Sequence, residues 1–104
     1  MRIIATSTLN QYARDHPDAA VSLERLASWI KAASWASSAE ASQAIPNTDP
    51  VSHDRLVFNV AGNKYRLVVA VDYERKVVHV KWFGTHAEYD RIDVATVGFR
   101  DPRH

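Results

Sequence analysis

Arg66, Lys81, His86 and Tyr89 succeed one another in the C-terminal half of this sequence, with Asp90 directly after the last of them. An arginine grips two phosphate oxygens at once and a lysine acts as a point charge, whereas an imidazole and a phenol exchange protons. Cutting an RNA strand without a metal asks three services of such groups. The 2′-hydroxyl must lose a proton, the crowded phosphate must be stabilised, and the departing 5′-oxygen must receive a proton. Arg66 and Lys64 suit the second service, and Lys81 and Arg55 extend the clamp. His86 and Tyr89 are the candidates for proton transfer. A helix start disfavours a charged imidazole at His86, while Asp90 one turn later favours it. The sequence leaves that balance open, and a capping role for His86 and a packing role for Tyr89 stand beside the catalytic readings.

These side chains need a scaffold that brings them to one surface, and the stretch from Arg55 to Asp90 supplies it. Leu56, Phe58 and Val60 alternate along one strand, and Tyr65, Leu67, Val69 and Val71 along the next. Gly62-Asn63 between them reads as a two-residue type II′ turn. That turn sets Val60 against Tyr65 and Asn59 against Arg66. A third strand follows the loop Tyr73 to Lys76, with Val71 paired to Val78 and Leu67 to Trp82. Val78, Val80 and Trp82 then join the apolar face. The other face gathers Arg55, Asn59, Lys64, Arg66, His79 and Lys81 among Val57, Val68, Val77 and Phe83, with Asp72 as its one carboxylate in register. Such a face attracts anions, so Arg55, Asn59, Lys64 and His79 are candidate substrate-binding residues around Arg66, and Asp90, in the segment that follows the third strand, is counted with them. Thr85-His86-Ala87-Glu88 fits a capping box, which predicts a short helix carrying His86, Tyr89 and Asp90 on one side. Its first turn would offer unpaired backbone donors to a phosphate.

The rest of the chain supports this unit. Arg2 to Thr6 reads as an opening strand, and Ser7 or Thr8 caps a helix from Leu9 to Asp15. A longer helix from Asp18 to Ser34 carries the stripe Leu23, Leu26, Ala27, Ile30 and Ala33, with Trp29 and Trp35 beside it. Ala36 to Asp54 reads as a long connector with a turn or two of helix after the second capping box, Ser37 to Glu40, stopped by Ile45-Pro46. At 104 residues the chain is read as one domain, a core of residues 1–94 and a tail, 95–104, expected to fray. The net charge of +1 means that nucleic-acid binding must rest on local clustering. The absence of cysteine removes disulfides, thiolate catalysis and cysteine-rich zinc sites. The five histidines lack metal-ligand spacing, so no metal or other cofactor is expected. His16 and His104 read as solvated and His53 as a connector surface residue. No signal peptide or membrane-spanning stretch is legible, which points to the cytoplasm.

The runs Val57 to Val60, Gly62-Asn63, Tyr65 to Val68 and Gly84 to Asp90 resemble the HigB family of toxins from bacterial toxin–antitoxin pairs. The opening RII strand, His16-Pro17-Asp18 and Trp35 fit as well, so the resemblance covers about residues 1–94, the connector 37–54 excepted. It implies a RelE/ParE-like α/β (α+β) fold: an N-terminal strand, two helices, a three-stranded antiparallel meander and a short C-terminal helix. It also implies an mRNA endoribonuclease (an mRNA interferase) that acts on translated messages in the ribosomal A site and inhibits translation. The family motifs fall on Asn59, Arg66, His86, Tyr89 and Asp90, and Lys81 supplies a matching basic residue. A HigA-like helix-turn-helix antitoxin is the implied partner and the route to promoter DNA. Two readings compete: a ParE-like toxin that inhibits a protein target such as gyrase by binding alone, and an RNA-binding or structural module without chemistry.

Overall fold

A computed structural model describes residues 1–52, 54–94 and 97. Five strands form one sheet in the order β1-β5-β4-β3-β2: β1 (Arg2–Ile4), β2 (Thr48–Pro50), β3 (Arg55–Val60), β4 (Tyr65–Asp72) and β5 (Val77–Thr85). The helices are α1 (Thr6–Asp15), α2 (Ala20–Ala32) preceded by the 3-10 turn Pro17–Ala19, α3 (Ser38–Ala44) and α4 (His86–Tyr89). The expected mixed fold is present: opening strand, two helices, meander and short final helix. The sheet is larger than the meander because β1 adds in parallel to β5 and β2 adds antiparallel to β3.

The apolar alternation of β3 and β4 does what its period requires. Leu56, Phe58, Val60, Leu67, Val69 and Val71 share one buried cluster with Leu9 of α1 and with Leu23, Leu26 and Ile30 of α2. Burial of each such side chain stabilises the fold by roughly 1.5–3 kcal/mol, enough to dock an amphipathic helix of weak intrinsic stability. The helix boundaries shift from those expected. α1 begins at Thr6 with no side-chain cap, and Pro17–Ala19 forms a 3-10 turn before α2. Trp35 is buried and tilts against Phe58, ring centroids 6.5 Å apart, whereas Trp29 is 46% exposed. Within the connector the Ser37 oxygen accepts from the Glu40 amide, as expected. The Glu40 carboxylate accepts instead from the Ala36 amide, so the second box is only half formed.

Two expectations about the meander need correction. Gly62 and Asn63 both have positive φ, +61° and +81°, the sign pattern of a type I′ turn rather than II′. Val71 does pair with Val78, but a β-bulge lies between Val68 and Val69, so Leu67 faces Phe83 and Val68 faces Trp82. Lys81 is the extra residue opposite no partner. One inserted residue reverses the alternation beyond it. Phe83 therefore enters the core, stacked on Tyr12 and Tyr65 at 5.1 Å each, and Trp82 leaves it for the face away from the helices. His16 is not simply solvated: its ring meets Tyr65 and Phe83 edge-on at 5.1 and 5.2 Å. His53, His104 and most of the tail fall outside the described residues.

Candidate functional site

On the sheet face turned away from α1 and α2, the cross-strand pairing orders the side chains in rows. Asn59, Arg66 and Gly84 form one row; Asp49, Val57, Val68 and Trp82 the next; Arg55, Ala70 and His79 a third. The third row is closed. Arg55 is 3% exposed, and its Nη1 donates to the carbonyls of Val94 and Val97 at 3.1 and 2.5 Å. Its guanidinium holds the chain that follows α4 and is not presented to solvent. His79 lies half-buried in the same row.

The first two rows meet α4. The Thr85 oxygen accepts from the Glu88 amide at 3.2 Å, and the Glu88 carboxylate accepts from the Thr85 amide at 2.8 Å, so the expected capping box is complete. The His86 amide donates to the Lys64 carbonyl at 3.1 Å, which ties the helix start to the end of the β3–β4 turn. These bonds engage the amides of Thr85, His86 and Glu88 within the fold, so most of the donors expected for a phosphate at the start of α4 are already used. The carboxyl of Glu88 sits below its ordinary range because the Thr85 amide and hydroxyl hydrogen-bond its charged form.

α4 brings His86, Tyr89 and Asp90 to the sheet as the sequence places them. His86 Nδ1 lies 3.7 Å from Asp90 Oδ2, both side chains largely exposed. The Tyr89 ring tilts against Trp82 at 6.3 Å. Burial raises the pKa of the phenol, Asp49 adds to the rise, the Arg66 guanidinium opposes it, and Asp90 adds a little more. The sheet thus delivers Arg66 and Asp49 within electrostatic reach of Tyr89. Arg66 is half-buried, and its Nη1 donates to the carbonyls of Asn63 and Tyr65 at 2.9 and 3.2 Å, which fixes the guanidinium plane. Among the described residues its Nε and Nη2 have no partner.

Lys64 points elsewhere. Its ammonium pairs with the Asp18 carboxylate at the start of the helical layer, where the Tyr65 hydroxyl also donates to Asp18 at 2.9 Å. Lys64 first and Tyr65 second hold the Asp18 carboxyl below its ordinary value. Lys81, in the bulge, is half-buried. Two members of this surface were missed from the sequence. Asp49 lies on β2, a strand hidden in a polar connector, and it joins Asp72 as a second carboxylate in register. Trp82 was assigned to the core. The signal that locates it is the break in period two at Val80-Lys81-Trp82-Phe83, where only one of two adjacent aromatics can face the helices.

Among the described residues no group of three or more His, Asp or Glu is placed to hold a metal ion, and no helix is long and apolar enough to cross a membrane. The model of the HigB toxin family, the RelE-like toxic component of a toxin–antitoxin system, matches residues 19–92. A curated relative, the mRNA interferase HigB of Escherichia coli O6:H1 (strain CFT073), is 31% identical over 94 residues, spanning 88% of this chain and 91% of the relative. With a match that runs from the turn before α2 through α4, this chain belongs to the HigB family of RelE-like toxins.

Proposed function

We propose that this chain is the toxin of a toxin–antitoxin pair and acts as an mRNA endoribonuclease. The observation that carries the reading is the convergence on one sheet face of a guanidinium, Arg66, that is only partly partnered among the described residues, with a protonated phenol, Tyr89. Arg66 holds the scissile phosphate through Nε and Nη2 and stabilises the charge that builds there. The raised pKa of Tyr89 keeps its proton on the oxygen at neutral pH, which suits delivery to the 5′-oxygen and not removal of a proton. His86, with Asp90 beside Nδ1, takes the proton of the 2′-hydroxyl through Nε2. The 2′-oxygen bonds to phosphorus as the bond from phosphorus to the 5′-oxygen breaks, giving a 2′,3′-cyclic phosphate and a 5′-hydroxyl without a metal.

Asn59 and Lys81 line the strand's path, while Lys64, Arg55 and His79 act through the fold. The message is cut on the ribosome in the cytoplasm, which suits so sparse a set of groups because ribosomal RNA can hold the substrate in place. A HigA-like helix-turn-helix antitoxin neutralises the toxin and makes its only contact with DNA. Mapping of 5′ ends in a translating extract tests the reading. Wild type should introduce cuts within translated messages, and the Arg66→Ala, Tyr89→Phe double variant should not while still binding the antitoxin. Toxicity that persists in the double variant overturns it and points to inhibition of a protein target by binding.

A further inference from the structure

The bulge in β5 leaves a large aromatic ring on the face that carries Arg66 and Tyr89, and the local geometry shows why it lies where it does. Gly84 has no side chain, and the six-membered ring of Trp82 occupies the space beside it. A Cβ at Gly84 would come within 2.6 Å of Trp82 Cη2 and 2.7 Å of Cζ2, and 3.0 Å from Glu88 Oε1 at the end of a flexible side chain. The indole is therefore laid along its own strand over the cross-strand partner of Arg66. Tyr89 stands beside it, centroids 6.3 Å apart at 50°, a tilt that leaves the two rings unstacked. Trp82 stays half-buried, and its indole N–H finds no acceptor among the described residues. Core packing does not require the ring, since Phe83 fills the place beside Tyr12 and Tyr65.

We propose that Trp82, laid over Gly84 and flanked by Tyr89, is the stacking platform for one nucleobase of a single-stranded RNA whose adjoining phosphate lies on Arg66. The inference rests on the ribonuclease reading for its substrate class. A ring face receives any base, and the cation one strand away receives the backbone, the pairing by which single strands are held. Trp82 is here a binding and positioning residue: it sets which nucleotide lies beside the guanidinium and performs no proton transfer.

The test is a cycle between protein and RNA. Binding is measured for a ten-nucleotide single-stranded RNA made uncleavable by 2′-O-methyl groups, and for the same strand with one base removed at each position in turn. Trp82→Leu should weaken binding of the intact strand about ten- to a hundredfold, and Trp82→Phe by no more than about threefold. One abasic position should weaken wild type by a similar factor and cost Trp82→Leu nothing further. Arg66→Ala should weaken binding yet keep the abasic penalty. Gly84→Ala, which pushes the ring aside without removing it, should reproduce the Leu variant and serves if that variant fails to fold. Equal abasic profiles for wild type, Trp82→Leu and Gly84→Ala, or no binding by wild type, overturn the platform. Message cutting with no such coupling leaves the ribonuclease reading intact and removes the platform. Coupling without message cutting keeps the platform and removes the ribonuclease.

Discussion

Arg55 and Arg66 sit on neighbouring strands and point to the same side of the sheet, yet they live in opposite environments. Arg55 is enclosed and donates to the carbonyls of Val94 and Val97, so its charge organises the chain after α4. Arg66 lies two rows away, anchored among the described residues through Nη1 and within electrostatic reach of Tyr89. The stretch beyond α4 accounts for the difference, because its Val94 and Val97 carbonyls engage Arg55, whereas among the described residues Arg66 bonds only carbonyls of its own turn and strand. A basic sheet face is thus two regions, one closed by the chain's own carbonyls and one proposed to carry the chemistry, and residue type does not tell them apart.

The contrast can be broken most severely at Arg66. Arg66→Ala should lower message cleavage by about a hundred- to a thousandfold, or about 2.7–4 kcal/mol of transition-state stabilisation, with the urea midpoint almost unmoved. Arg55→Ala should do the reverse, costing about 2–4 kcal/mol in urea denaturation because it strands buried carbonyls, while the folded fraction keeps its rate. Equal effects of the two variants on both measurements would erase the distinction.

Tyr89 sharpens the chemical side. Since burial and Asp49 raise its pKa above the ordinary 10.0, the phenol stays protonated throughout the neutral range. Tyr89→Phe should lower the rate about a hundredfold, by an amount constant from pH 7 to 9. A wild-type rate that falls with an apparent pKa below 9, and a Phe variant that abolishes that fall, would contradict the assignment. The smallest effect belongs to Lys64, the cation that left the face. The Asp18 carboxyl is held low by Lys64, so the pair's contribution is complete above the ordinary carboxylate value near 4 and fades as pH falls through the lowered folded value. Asp18→Asn should therefore lower Tm slightly at pH 7, with the two curves converging below about pH 4.

The strands β3 and β4, their register and the α2 stripe were legible because each depends on neighbours in sequence: a period, a short turn, a run of Leu and Ile at helical spacing. The capping box at Thr85 was legible for the same reason. β2 was not, because Thr48–Pro50 is a polar edge strand whose pairing with β3 supplies the order its composition lacks. The bulge escaped as well, and with it the exchange of Trp82 and Phe83.

The amino-acid order alone determined the α/β layout, the greasy side of the meander and the short helix bearing His86, Tyr89 and Asp90, all consequences of interactions a few residues apart. Only the folded chain decided which cations remain available. Arg55 is claimed by Val94 and Val97, and Lys64 by Asp18, partners 39, 42 and 46 residues distant. Contacts over such separations are set by how the layers pack, and no local period encodes them.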